Sequence, residues 1–231
     1  MGKIFNFDGP FLTFMSRAAD LFWLNTLYII CCIPIVTIGA ATTALYYVTL
    51  KMAKDEESYI TKSYFKSFKD NFKQATIVWL ILLLIIVVMV TDLFIVNGGS
   101  LANILNNESI NTVVLVAVGI VALLVAFELT YVFAILAKFD NTVKNTIINS
   151  FLISIRHLPY TIGMILITAV PYVLIFLSPA AMLIILIMFS LVAYINSRFF
   201  NKIFVFYMPK EEEDPKELEE KVFHDEGTIG N

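Results

Sequence analysis

Cysteine, histidine and charge are all scarce in this 231-residue chain, and each scarcity removes a class of function. The two cysteines, Cys31 and Cys32, are adjacent and lie inside an apolar stretch, where neither a disulfide framework nor a metal quartet can be assembled. They read as packing residues. The two histidines, His157 and His224, lie far apart in sequence, so no metal ligand set is expected. No Ser-His-Asp set, HExxH, glycine-rich phosphate loop or basic nucleic-acid stripe occurs, so neither catalysis, a cofactor nor a nucleic-acid partner is expected. The first residues do not follow the charged, short-apolar, small-residue order of a cleaved signal peptide, and none is expected.

What fills the chain is apolar. Hydrophobic residues make up 59% of it and the mean hydropathy is +0.82, above the roughly 45 to 50% apolar share of soluble domains. A crossing of a hydrocarbon core of about 30 Å takes about 20 apolar residues. Residues 76–96 and 112–137 meet that need outright, and residues 160–177 and 180–196 follow, separated only by Ser178 and Pro179. Residues 21–50 form the remaining apolar region, with Pro34 and Gly39 near its middle. Such a segment is either one kinked span or two half-length helices folded back on each other.

Charge is distributed by position. Nine of the nineteen acids and three of the sixteen bases fall from Lys210 onward, leaving ten acids and thirteen bases before it. Residues 209–231 therefore read as an acidic solvated tail, with Asp214-Pro215 as the start of a short helix. Between the first and second apolar regions lie Lys51, Lys54, Lys62, Lys66, Lys69 and Lys73, whereas residues 97–111 contain no Lys or Arg. Lys138, Lys144 and Arg156 occupy the next gap, the Ser178 turn has none, and Arg198 and Lys202 follow. This alternation puts the lysine-rich loops and the C-terminus in the cytoplasm.

Two gaps carry amphipathic patterns. In residues 58–75, Phe65, Phe68 and Phe72 share one helical face and Lys62, Lys66, Lys69 and Lys73 a neighbouring one, as expected of a helix at the lipid headgroups or of a collar under the spans. Residues 142–157 form the second such helix.

Residues 47–54 (YVTLKMAK) and 131–138 (YVFAILAK) agree at four of eight positions, 84 residues apart, and Ser67-Phe68 matches Ser150-Phe151 at an offset of 83. A repeat of outward-to-inward span, amphipathic helix and return span makes residues 21–50 a single crossing, with an extracellular N-terminus. The expected architecture is then an all-α polytopic membrane bundle of five spans with amphipathic cytoplasmic helices.

Few residues have the means for chemistry. Glu128 is a carboxylate inside the third run, and such a group by default marks function or a hydrogen bond to a neighbour, with Asn25, Thr43 and Tyr131 as the partners in reach. Asp92 stands nearer the external end of its span. Pro34, Gly39 and Pro171 free backbone carbonyls, the device by which transporters build midplane sites, although proline kinks also serve plain packing.

Leu24-Asn25, the string PIVTIGAATTALY over residues 34–46 and the Phe65, Phe68, Asn71, Phe72 helix together resemble the bacterial YesL family. The likeness runs from the Gly9-Pro10 region to Tyr207. It implies an integral protein of the bacterial cell membrane, of unknown biochemical function, encoded near carbohydrate-uptake and polysaccharide-utilisation systems. No catalytic residue carries over. Thr37, Gly39, Thr42 and Thr43 within the string allow close helix approach and interhelical hydrogen bonds. Two functions are therefore carried forward. One is an accessory or regulatory protein with the bilayer and membrane proteins of a sugar-uptake system as partners; the other is a small secondary transporter or channel using Glu128 and the proline-broken helices.

Overall fold

The computed structural model describes residues 10–56, 59–98, 108–177 and 185–208. Within these the chain forms seven α-helices: α1 (Pro10–Cys32), α2 (Ile38–Met52), α3 (Ile60–Gly98), α4 (Glu108–Lys138), α5 (Val143–Arg156), α6 (Leu158–Leu177) and α7 (Ile185–Phe204). A single 3-10 turn, Ile35–Thr37, joins α1 to α2. The Ser178-Pro179 turn, the first residues of the fifth expected span and the acidic tail lie outside the described residues.

The first apolar region does not cross once. Pro34 lacks an N–H and holds an extended backbone (φ −76°, ψ 121°), so α1 ends and the chain turns back. If α1 and α2 were collinear, Arg17 and Asp55 would stand about 57 Å apart at 1.5 Å per residue. Instead the Arg17 guanidinium pairs with the Asp55 carboxylate, and Tyr28 Oη lies 3.4 Å from Thr42 Oγ1. The two helices are antiparallel. The start of α1 therefore shares a face with the lysine-rich 51–56 segment, and residues 21–50 are two antiparallel helices where a single span was expected; residues 1–9 lie outside the described residues. Pro34 was compatible with kink or reversal; the pairing at the hairpin base selects reversal.

The carbonyls exposed by this break find donors inside the protein. Thr37 Oγ1 lies 2.6 Å from Cys31 O and 2.7 Å from Pro34 O, and Trp79 Nε1 donates to Ile35 O at 2.8 Å. Unsatisfied backbone is costly in lipid, and Ile33, Ile35 and Val36 at this tip are exposed apolar residues. Trp79 on α3 thus ties the tip down.

α2 is the central helix. Ten of its fifteen residues are buried, among them Gly39, Ala40, Ala41, Thr43 and Ala44, which lets neighbouring backbones approach closely. At Gly39 the approach is extreme: a Cβ would stand 2.4 Å from Ala75 O and 2.6 Å from Trp79 Cβ. α4 has the same character over its last two turns, where Tyr131 through Ala137 are buried without interruption, so helices surround it on every side there.

The expected amphipathic helix 58–75 and span 76–96 are one continuous α3 of 39 residues, about 58 Å long. No proline or glycine interrupts residues 60–96. The change from polar to apolar near Thr76 alters the surroundings of the helix, not its backbone. Tyr64, Ser67, Ala75, Val78 and Leu82 face the core, while Lys62, Lys66, Lys69 and Lys73 are exposed. Past Leu82 the helix shows apolar residues such as Leu84, Val87, Val90 and Phe94 to its surroundings. In the second half of the chain Pro159 does interrupt, so α5 and α6 are separate, with His157 between them at φ −114°, ψ 40°. α3 begins at Ile60 and α5 at Val143, 83 residues on, which is the offset of the repeat.

Four stretches are long and apolar enough to cross a membrane among the described residues: Ile35–Met52, Ile60–Phe94, Thr112–Lys138 and Leu158–Leu177. This is a multi-pass membrane protein. The described part of the expected span 180–196 belongs to α7, which runs on to Phe204 and buries Asn196 and Ser197. The chain divides into residues 1–201 and 202–231. In the second unit the helix end closes with Phe206 N–H on Ile203 O and Tyr207 N–H on Phe204 O.

Two outcomes are expected. Gly39→Ala costs about 1 to 3 kcal/mol by overpacking, whereas Gly163→Ala, with nothing within 4 Å of its added Cβ, is neutral or gains up to about 1 kcal/mol. Thermal unfolding in detergent reads both. In a background free of Cys31 and Cys32, Ser16→Cys and Asp55→Cys should label from the same membrane side with an impermeant thiol reagent. Labelling from opposite sides contradicts the hairpin.

Candidate functional site

The hydroxyls of the PIVTIGAATTALY string bond within the protein. Thr42 Oγ1 donates to Ile38 O at 2.7 Å and Thr43 Oγ1 to Gly39 O at 2.9 Å, each one turn back on α2. Further along, Thr49 Oγ1 reaches Ser197 Oγ on α7 at 2.8 Å. Pro34, Thr37 and Gly39 shape the hairpin tip. The string is thus a set of packing contacts.

Asn25 serves the same end. Its Nδ2 donates to Ile185 O at 2.9 Å, its Oδ1 accepts from the Ser190 N–H at 3.1 Å, and Ser190 Oγ donates to Leu21 O at 2.7 Å. These bonds fasten α1 to α7 through buried polar atoms. At the base of the hairpin Arg17 Nη1 donates to Tyr194 Oη at 2.9 Å, and Arg198 Nη2 donates to the same oxygen at 3.0 Å.

Glu128 is buried on α4, ten residues or about 15 Å before Lys138. Its Oε1 accepts a hydrogen bond from Ser150 Oγ on α5 at 2.5 Å. None of the three expected neighbours takes this role. Asn25 bonds to α7, Thr43 bonds to its own helix, and Tyr131 Oη pairs with Thr161 Oγ1 at 2.9 Å. The partner comes instead from the amphipathic helix, where Thr146, Ser150 and Ser154 form a buried hydroxyl stripe at four-residue spacing. That stripe was legible as a periodicity. Ser150 Oγ also lies 2.8 Å from Thr146 O, so carboxyl and carbonyl compete for one hydroxyl proton.

The remaining expected residues are dispersed. Asp92 is half-exposed, ten residues past Leu82, the last buried position of α3. Pro171 is buried within α6 and borders, with Tyr28, Thr42, Tyr46 and Thr168, a cavity of about 160 Å3. Thr168 Oγ1 accepts from Asn196 Nδ2 at 3.1 Å, and the Asn196 Oδ1 is buried with no partner. Lys62, Lys66 and Lys69 border an open groove with Tyr59 and Phe65 on the outer face of α3. Among the described residues no group of three or more His, Cys, Asp or Glu is arranged to hold a metal ion.

Residues 21–93 match the family model described as "Protein of unknown function, DUF624". The matched stretch holds the second half of α1, all of α2 and most of α3, including Asn25, Pro34, Gly39, Ala75 and Trp79. No curated protein and no solved structure matches the chain.

Ser150→Ala takes the donor from a buried carboxyl and is expected to cost about 1 to 3 kcal/mol. Glu128→Gln keeps an acceptor oxygen for Ser150 and should cost less. Unfolding midpoints in detergent, with the double variant closing a cycle, measure the coupling.

Proposed function

We propose that this protein is a non-enzymatic accessory or regulatory component of the bacterial cell membrane, serving carbohydrate uptake through contact with other membrane proteins. One observation carries the reading. The polar groups of the α1–α2 hairpin and of the small-residue string are bonded to the protein's own backbone and side chains, and the hairpin is fixed at tip, middle and base. Such a unit supplies a rigid shape and a surface for neighbours. The link to carbohydrate uptake rests on the likeness to the YesL family. By the positive-inside rule the face bearing Arg17, Lys51, Lys54, Lys138 and Arg198 is cytoplasmic, and the exposed lysines of α3 meet anionic headgroups there.

A second reading is favoured by a different observation. Glu128 is a buried carboxyl in a spanning helix, and Pro171 removes one backbone hydrogen bond from α6 beside a cavity, features that a small proton- or cation-coupled transporter would use.

The two readings separate in experiment. Pull-down in mild detergent from the native membrane should recover a component of a sugar-uptake system above background, and its absence counts against the accessory role. In reconstituted vesicles the wild type should show no proton- or cation-coupled solute flux. Flux that is lost in Glu128→Gln establishes transport instead.

A further inference from the structure

The geometry points to a phosphate-binding pocket at the basic end of the bundle, built by Lys51 and Lys54 from the end of α2, Lys138 from the end of α4, and Asn201 of α7. These residues, with Tyr47 and Glu56, line one hollow of about 120 Å3. That is room for several waters, and so for a phosphate group.

Three ammonium groups share this hollow. Lys138 interacts electrostatically with both Lys51 and Lys54, and with Glu56. None of the three lysines lies within ion-pair distance of a carboxylate among the described residues. Capping of the α2 end does not account for Lys51 and Lys54. The carbonyls of Thr49, Lys51 and Met52 are taken by the N–H groups of Ala53, Lys54, Asp55 and Glu56, and Ile135 O by Phe139 N–H. Lys51 Nζ rests over the Tyr47 ring at 4.5 Å instead of on a carbonyl. Each helix C-terminus contributes about half a negative charge, and Glu56 one more. The sum with three lysines stays positive, and an anion relieves it.

Asn201 fixes α7 to this end of α2. Its Nδ2 donates to Leu50 O at 3.0 Å, which holds the Asn201 wall of the hollow in place. Lys54 and Lys138 also hold the same final position of the two repeated octapeptides, so the pocket joins equivalent ends of α2 and α4. The chemistry recognised is shared by two sources, the headgroup of an anionic phospholipid and a soluble phosphate ester. Neither the accessory role nor transport is needed for this site.

The full-length protein in a neutral detergent is heated with inorganic phosphate, glycerol 3-phosphate or phosphatidylglycerol, and with nitrate at matched ionic strength. A phosphate-bearing probe should raise the unfolding midpoint in a dose-dependent manner. The rise should be lost in K54Q/K138Q, kept in K54R/K138R, and kept in K144Q, which alters an exposed lysine on α5. A response to phosphatidylglycerol alone assigns a lipid headgroup, and one to glycerol 3-phosphate assigns a soluble ester. Native mass spectrometry of retained lipid gives a second reading on K54Q/K138Q that does not depend on its stability. The site is overturned if no phosphate probe shifts the wild type, if nitrate shifts it equally, or if K54Q/K138Q responds like the wild type.

Discussion

The close approach of α2 to α3 at Gly39 is the constraint on which the rest of the structure depends. With no side chain at that position, the α3 backbone at Ala75 comes so near that a single added carbon would overlap it. One turn further along α3, Trp79 packs against the same glycine and donates its indole N–H to Ile35 O. The register that permits close packing is therefore also the register that satisfies the broken backbone. In lipid these two requirements cannot be met separately, because water is absent to take a free carbonyl. A proline-terminated helix can turn back within the apolar zone only when such a donor is in place. α3 supplies it, and the hairpin tip is positioned by one helix face.

Once α2 is fixed, the helices around it follow. Small residues leave α2 accessible to neighbours on all sides, and α4 lies beside it with its own last two turns fully enclosed. Both helices run toward the same end of the bundle, which brings Lys51, Lys54 and Lys138 to one face together with Arg17 from the returning α1. Charge alternation in the sequence and hairpin geometry in the fold thus agree about which ends are alike. The sequence match between the two halves covers the ends of α2 and α4 and short parts of α3 and α5. It does not extend to α1, whose reversal has no counterpart at the corresponding place in α4.

Apolar run length gave α4 and α6 to within a few residues of their ends, since charged or polar residues flank both runs. The amphipathic α5 was legible as well, over residues 142–157; in the structure Thr142 caps it by accepting from the Asn145 N–H. The reversal at Pro34 was not. Lys3, Asp8, Arg17 and Asp20 sum to zero, so charge placed no restriction on the side occupied by the start of the chain, and proline suits a kink as well as a turn. The pairings of Arg17 with Asp55 and of Tyr28 with Thr42 separate the two. The continuity of α3 was hidden for a different reason. Hydropathy changes sharply near Thr76, but a helix is broken by its backbone residues, and none of these breaks it. Glu128 was visible as a carboxyl inside an apolar run, whereas its partner was not. Ser150 belongs to a segment that reads as a surface helix, and the 22-residue separation carries no local signature.

The distribution of fixed contacts bears on the choice between a rigid accessory and a moving transporter. Alternating access requires an element with two stable arrangements, and an element tied at several depths is poorly suited to it. The hairpin is tied at its tip by Thr37 and Trp79, at mid-depth by Asn25 and Ser190, and at its base by Arg17 with Asp55 and Tyr194. α6 differs. Most of its length is exposed, with Thr161, Met164 and Pro171 as its buried residues. Its polar ties are Thr161 to Tyr131 and to the end of α5, and Thr168 to Asn196. Its internal proline removes one backbone bond at the border of the cavity. Any two-state behaviour in this bundle is therefore concentrated in α6 and the cavity beside it. Glu128, bonded to Ser150 of α5, reports on the position of α5 against α4 and is not a group of the moving helix.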